Sequence, residues 1–190
     1  MTVLKNMRIN KSGVVTLLLM TLAIVVVSFY FLFRDQSAVQ KRNNTPAAQA
    51  LLVEDSEKSF TNLQGDKVSI SENFGKPIVV MSWASWCPQC TNDLQELGKI
   101  AQDFSSRGVT VMAVNRAEDK YSAQRYLDTL SLPNELRIVL DPSDYYFGHS
   151  EGYAMPETVV FKSDGQVTLH QHGELRSDEL RKSLEELVSK

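Results

Sequence analysis

The longest hydrophobic stretch of the chain lies near its N-terminus, where residues 14–33 contain no charge, proline or glycine. A helix of that length spans about 30 Å, the thickness of a bilayer's hydrocarbon core. A cleaved signal peptide usually has only about 7–15 apolar residues, followed closely by small ones, whereas the Ala-x-Ala at Ala48–Ala50 comes much later. The pattern therefore predicts an uncleaved transmembrane signal-anchor helix at 14–33, preceded by a basic tail at 1–13.

Residues 34–58 are rich in Gln, Asn, Ala and Ser and show no sustained periodicity, so we expect a flexible linker there. The positive-inside rule does not orient the anchor, because three basic residues stand on each side: Lys5, Arg8 and Lys11 before it, and Arg34, Lys41 and Arg42 after it. Long C-terminal domains translocate largely regardless of nearby charge, and a short basic tail normally stays in the cytoplasm. We therefore expect a single-pass protein of a bacterial inner membrane, with residues 59–190 facing the periplasm.

Within residues 59–190, short β-branched runs alternate with segments of helical spacing, which predicts a three-layer α/β domain. The predicted strands are Phe60–Leu63, Lys67–Ile70, Ile78–Trp83, Val109–Val114, Arg137–Leu140, Thr158–Phe161 and Val167–His172. The last two flank the turn residues Asp164 and Gly165, as in a hairpin. The predicted helices are Cys87–Asp103, Tyr121–Leu130 and a last one capped by Ser177.

Composition narrows the classes of function. A net charge of −3 and a pI near 5.6, with no basic stripe, argue against a nucleic-acid partner. The chain has two cysteines, both in one short motif, which excludes a framework of structural disulfides. The same count leaves no cysteine for a lipidated N-terminus, so membrane attachment has to come from the polypeptide itself.

The two cysteines, Cys87 and Cys90, lie between the predicted strand Ile78–Trp83 and the helix that follows it. Cys87 is expected at or just before the helix N-terminus, where unpaired backbone N–H groups and the macrodipole favour negative charge. A thiolate is such a charge, so the pKa of Cys87 should fall below the free value of roughly 8.5. These positions predict Cys87 as the nucleophile and Cys90 as the resolving thiol.

Three other interpretations of the pair are less favoured by the sequence. Zinc needs four ligands, and besides the cysteines the clear candidates are His149, His170 and His172. His170 and His172 are one residue apart, not the roughly three to five common in zinc fingers, so a zinc site is disfavoured. A stabilising staple is disfavoured because closing so small a ring contributes only about 2 kcal/mol, against about 3 kcal/mol for a 15-residue loop. Two inert buried thiols are disfavoured because Pro88 and Gln89 between them are typical of an exposed turn.

Three segments carry a family resemblance: Trp83–Cys90, the lead-in Phe60–Pro77, and Gly152–Thr158. Together they resemble the membrane-anchored thiol–disulfide oxidoreductases of the TlpA, ResA and CcmG (DsbE) type. The resemblance implies a thioredoxin-like fold, a mixed central sheet flanked by helices. It also implies that Pro156 follows a cis peptide bond and lies against the cysteine pair, with Met155 offering its backbone and a soft side chain to substrate.

The resemblance further suggests which residues tune the cysteines. Thioredoxins bury an aspartate six residues before the first cysteine, where this chain has Met81, so proton transfer at Cys90 has to fall to another group or to water. Asp93, one helical turn past Cys90, is the first candidate, with a solvated surface acid as the alternative; Glu118 and Glu157 are weaker ones. Trp86 is expected to shield Cys87 and present a flat contact face, while Trp83 is expected in the core.

We therefore expect a reductase of specific protein disulfides, for instance in cytochrome c maturation, that needs no metal or organic cofactor. Its electrons would come from a membrane-embedded donor. A disulfide oxidase or isomerase remains the nearest alternative. From a different class, a metal-handling or assembly protein would use Cys87, Cys90, His170 and His172 as ligands. The two histidines share one face of a strand, which is otherwise typical of a solvated surface.

The length of the apolar run yields the first testable prediction. Because residues 14–33 are too long and uninterrupted for a typical signal peptide, the protein isolated from its own cells should retain the whole segment. Intact-mass measurement checks this. A mature chain beginning near residue 51 would show that the segment is removed and the domain released.

Overall fold

The computed structural model describes residues 19–29 and 60–189. The chain divides into two compact units, Met1–Lys41 and Arg42–Lys190. In the first unit, residues 19–29 form a helix with exposed side chains, inside the predicted anchor. Among the described residues, no helix is both long enough and apolar enough to cross a bilayer. The basic tail, both ends of the predicted anchor and the linker lie outside the described residues.

The second unit is built on a mixed five-stranded sheet with the order β3-β2-β1-β4-β5. Its first three strands run parallel, while β4 is antiparallel to both β1 and β5. The strands are β1 (Ile78–Trp83), β2 (Thr110–Arg116), β3 (Leu136–Asp141), β4 (Glu157–Phe161) and β5 (Val167–His172). This is the thioredoxin-like mixed sheet expected from the sequence.

Four α-helices flank the sheet: α1 (Cys90–Ser105), α2 (Lys120–Leu127), α3 (Tyr145–His149) and α4 (Ser177–Val188). A single 3₁₀ turn, Ser71–Asn73, precedes β1. The side chain of Asp119 caps α2 by accepting from the N–H groups of Tyr121 and Ser122. Ser177, predicted as the cap of the last helix, is instead its first residue.

The two strands predicted before β1 were wrong. Phe60–Leu63 and Lys67–Ile70 form only isolated bridges, between Thr61 and Lys67 and between Thr61 and Leu140. The Asn62 side chain accepts from the N–H groups of Gln64 and Asp66, at 2.9 Å each. This local turn leaves too few residues on either side for a ladder, although Phe60 and Ile70 remain buried.

Burial divides between the two faces of the sheet, and β1 contributes to both. Val79, Met81 and Trp83 pack in one cluster with both cysteines and the apolar sides of α1 and α4. Ile78 and Val80 point to the other face, where they join a cluster containing Phe60, Ile70, Tyr145 and Tyr146. All six residues of β1 are buried, which explains why its sequence is apolar at every position except Ser82 rather than alternating.

The apolar stripe of α1 gives the second prediction. Ile100 is fully buried in the cluster that also holds the cysteines. Ile100→Ala should lower the free energy of unfolding by about 2–5 kcal/mol, because it removes buried methyl groups and leaves a cavity. Equilibrium denaturation of the oxidised protein measures it. The exposed Gln102→Ala, two residues on in the same helix, should change the value by no more than about 0.5 kcal/mol.

Candidate functional site

Cys87 and Cys90 form a disulfide between the end of β1 and the start of α1, with their Cα atoms 5.4 Å apart. The helix begins at Cys90, three residues later than predicted, and the Cys90 N–H donates to the Cys87 carbonyl at 3.2 Å. Cys90 is fully buried, whereas Cys87 retains 3% exposure. Pro88 and Gln89 are exposed, as expected of a turn. Cys87 is therefore the less buried residue of the pair, and its role as the nucleophile stays a prediction.

The loop in front of the cysteines is held by Glu118. Its carboxylate accepts from the Ser85 N–H at 2.8 Å, from the Ser85 hydroxyl, and from Asn115 Nδ2 at 2.6 Å. Sequence reasoning named Glu118 only as a weaker candidate for proton transfer at Cys90, and assigned no role to Ser85 or Asn115. The available signal was topological: Asn115 is the register partner of Trp83, so both lie at the carboxyl ends of parallel strands. Glu118 thus positions the turn that carries Trp86 and Cys87.

On its other side the disulfide faces the loop before β4. The Met155–Pro156 peptide bond is cis, as the family resemblance implied. Pro156 is buried, and the partly buried Met155 packs against the cluster that contains both cysteines. Met155 of this loop therefore packs against the cluster that holds the cysteine pair, while the contact between Pro156 and the cysteines stays a prediction.

Asp93 is a buried acid, so the interpretation as a solvated surface residue was wrong. It is 5% exposed, and its Oδ2 accepts from the Leu175 N–H at 3.2 Å. Burial raises the pKa of Asp93, opposed by that hydrogen bond and reinforced by the charges of Glu174 and Glu96. Met81 is fully buried in the cysteine cluster, so no carboxylate occupies that position of the strand.

The two tryptophans have the separate environments that were predicted. Trp83 is fully buried, and its ring stacks on Tyr126 with centroids 5.5 Å apart. Trp86 is 58% exposed, with the Arg116 guanidinium 5.8 Å from its ring. Arg116 is itself oriented by an ion pair with Asp144, Nε to Oδ1 at 2.9 Å, and lies 3.5 Å from the Phe147 ring. Beside Cys87, the chain therefore presents an aromatic face with a fixed cation.

The histidines of β5 do not form a solvated strand face. His170 and His172 keep only 22% and 25% exposure, and both approach the fully buried carboxylate of Glu157. In the part of the chain that the structure describes, these three side chains form the only metal-compatible group, and neither cysteine belongs to it. The joint ligand set of Cys87, Cys90, His170 and His172 was therefore wrong, since the cysteines pack on the other face of the sheet.

Comparisons with known proteins agree with this site. Residues 34–187 match the Redoxin family. The thiol-disulfide oxidoreductase ResA of Geobacillus kaustophilus is 23% identical over 128 residues, covering 67% of this chain and 72% of that protein. The thiol:disulfide interchange protein DsbE of Haemophilus influenzae is 27% identical over 136 residues, covering 70% and 72%.

Solved structures show the same fold. A putative thiol:disulfide interchange protein DsbE from Chlorobium tepidum superposes with a TM-score of 0.62 at 22% identity, covering 68% of this chain and 92% of that one. StoA from Bacillus subtilis gives 0.56 at 20% identity, covering 65% and 92%. A thioredoxin-like fold with a cysteine pair between β1 and α1 thus defines the class of protein. The chain belongs to the Redoxin family, and within it to the TlpA/ResA/CcmG type.

The buried acid gives the third prediction. Asp93→Asn keeps an oxygen for the Leu175 N–H but cannot exchange a proton. If Asp93 serves Cys90, the variant should resolve mixed disulfides about a hundredfold more slowly, the lower range for a lost proton-transfer group. Alkylation of Cys87 in the reduced protein should remain near the wild-type rate. Stopped-flow measurement of both rates between pH 6 and 9 makes the test.

The matched control is Asp103→Asn, which removes an exposed carboxylate near the C-terminal end of the same helix. It should leave both rates unchanged. Resolution kinetics of Asp93→Asn that coincide with wild type across this pH range would restrict Asp93 to a structural role at Leu175.

Proposed function

We propose that this protein reduces disulfides in specific protein substrates outside the cytoplasm, with Cys87 as nucleophile and Cys90 as resolving thiol. It is a thiol–disulfide oxidoreductase of the ResA/DsbE type; the reducing direction, the specific substrates, the location and the separate roles of the two cysteines are what we propose. The observation that carries the function is the Cys87–Cys90 disulfide at the junction of β1 and α1, packed in one cluster with the Met155–Pro156 loop.

The reaction balances with protein thiols alone. The Cys87 thiolate attacks one sulfur of the substrate disulfide, forming a mixed disulfide and releasing the other substrate sulfur as a thiolate. The Cys90 thiolate then attacks Cys87 Sγ, which forms the Cys87–Cys90 bond and releases the second substrate thiol. Two electrons pass to the substrate, so a donor dithiol has to reduce the pair again before the next turnover.

Substrate contact is assigned to the surface around Cys87. Trp86, next to Cys87 in the chain, is 58% exposed, and the partly buried Met155 packs against the cluster that contains Cys87. Aromatic and thioether side chains supply large, adaptable contact area. Arg116 lies beside Trp86, but its charge is already paired with Asp144, so the contact surface is mainly aromatic.

The proposed site of action is the outer side of a bacterial inner membrane, with residues 14–33 as the anchor and a membrane-embedded protein as electron donor. The uninterrupted apolar run supports the anchor. A reductase in an oxidising compartment has to be recharged continuously, which favours a donor in the same membrane. Apocytochrome c cysteines are a suitable substrate class, because the family that this chain resembles includes cytochrome-maturation reductases. The relatives named DsbE and ResA are thiol–disulfide proteins.

Mixed-disulfide trapping tests the function directly. Cys90→Ala leaves the Cys87 nucleophile without a resolving thiol, so substrate proteins should accumulate as covalent adducts in cells. Non-reducing electrophoresis and mass spectrometry identify them. Cys87→Ala keeps the other cysteine and should trap none. Adducts that form equally with Cys87→Ala would contradict the assignment of the nucleophile.

A further prediction concerns whether the protein reduces or oxidises its substrates. The Cys-Pro-Gln-Cys turn has no histidine between its cysteines, so the turn itself adds no positive charge to the helix N-terminus that stabilises the thiolate. A moderately stabilised thiolate leaves the reduced form less favoured, and the potential should lie nearer the roughly −270 mV of thioredoxin than the roughly −120 mV of a strong oxidase. Equilibration of the full chain with glutathione measures the potential.

Gln89→His is the matched control, since it places a cationic ring between the cysteines and should raise the potential. A wild-type value above roughly −180 mV, the range of disulfide isomerase, would overturn the reductase proposal if the pair is also oxidised in cells. It would favour the oxidase or isomerase.

A further inference from the structure

A second cluster of reactive side chains lies on the sheet face opposite the cysteines. Glu157 opens β4 and is the direct cross-strand partner of His172, while His170 stands opposite Val159. Directly opposed residues of antiparallel strands, and residues two apart on one strand, share a face of the sheet. Backbone pairing therefore brings one carboxylate and two imidazoles to the same place.

The donor atoms converge on the carboxylate. His170 Nε2 lies 3.1 Å from Glu157 Oε1, and His172 Nδ1 lies 3.2 Å from Oε2. One ligand atom from each of the three side chains lies within 4.8 Å of the others. In a tetrahedral site with metal–ligand bonds of 2.0–2.2 Å, ligand atoms stand about 3.4 Å apart. Small side-chain rotations are enough to close these donors around one ion.

The burial of its carboxylate distinguishes this cluster from an ion pair on the protein surface. Glu157 is fully buried, and an ionised carboxylate in that position requires a compensating positive charge. His170 Nε2 is a buried atom that lacks the alignment for a hydrogen bond. The Tyr146 hydroxyl is also buried and has no hydrogen-bond partner among the described residues. Burial, and then the charge of Glu157, hold the pKa of Tyr146 well above its usual value.

The surroundings hold the carboxylate in place and leave the imidazoles reachable. The Ser150 hydroxyl donates a hydrogen bond to Glu157 Oε1 at 3.0 Å, which holds the carboxylate in place. The Tyr153 ring stacks on His172 with centroids 4.1 Å apart, and the two histidine rings are 4.1 Å apart. Both imidazoles keep about a quarter of their surface exposed, so a small rotation of the His170 ring opens its buried Nε2 to an ion from the solvent.

We propose that Glu157, His170 and His172 form a binding site for one divalent transition-metal ion. Two imidazoles and one carboxylate with a free fourth position make a ligand set suited to Zn²⁺, and imidazole also suits Cu²⁺ and Ni²⁺. The ion supplies the positive charge that the buried carboxylate requires. Because the cysteines pack on the other face, this site is distinct from the redox site and is available while the disulfide is intact.

Titration of the full chain with Zn²⁺ tests the proposal. The protein is kept oxidised, because free thiolates would bind zinc themselves. Isothermal calorimetry should show one Zn²⁺ per chain, and the ion should raise the melting temperature. His170→Gln and His172→Gln should each weaken binding by at least about tenfold, since even a lost second-shell partner costs 10–100-fold.

His149→Gln is the matched control. It removes the third histidine of the chain, whose Nδ1 lies 2.8 Å from the Tyr145 carbonyl outside the cluster, and it should bind Zn²⁺ like wild type. Equal affinity in wild type and in the His170→Gln/His172→Gln double variant would overturn the proposal, as would absence of saturable binding by the oxidised wild-type chain. Both histidines are partly exposed, so the conclusion does not depend on a variant of the buried Glu157.

Discussion

The structure depends on the burial of β1 on both of its faces. Because β1 is the central strand, parallel to β2 on one side and antiparallel to β4 on the other, its C-terminal end meets the end of β2 and the start of β4. Trp83 is thereby paired with Asn115, and Ser82 with Glu157. The Glu118 network and the cis-proline loop reach the cysteine turn from these two neighbours. Strand pairing alone therefore brings together the strand ends that surround the active site.

The cysteine turn is also tied to the far end of the chain through one buried hydrogen bond. Asp93 in the first turn of α1 accepts from the backbone of Leu175, just before α4. Leu175 lies in the cluster that contains the cysteines, and Gln171 holds the same loop by accepting from the Arg176 N–H at 3.1 Å. A proton gained or lost at Asp93 therefore alters a contact between two helices as well as the charge near Cys90.

Much of the fold and of the redox site could be predicted from the sequence. The strand before Cys87, the helix after Cys90 and the β4–β5 hairpin have strong local patterns, and the cis bond at Pro156 followed from the family resemblance. The errors have physical reasons. Asn62 forms a side-chain turn that competes with the predicted first strands. Asp93 and Glu157 carry charge, which predicts exposure, but tertiary contacts bury both. The roles of Ser85 and Asn115 arise from Glu118, which is distant from Ser85 in sequence, so no local pattern reveals them.

Gly152 constrains how this protein can diversify. A Cβ atom there would lie 2.7 Å from both Glu157 Oε2 and the Phe147 ring, so a side chain at this position would force Glu157 or Phe147 to move. The next residue, Tyr153, is exposed, while Ala154 and Met155 are partly exposed. Substitutions that change the surface of this loop are therefore accommodated more easily at these three positions than at Gly152. A side chain at position 152 would instead displace Phe147 or the Glu157 carboxylate, and with it the group that His170 and His172 approach.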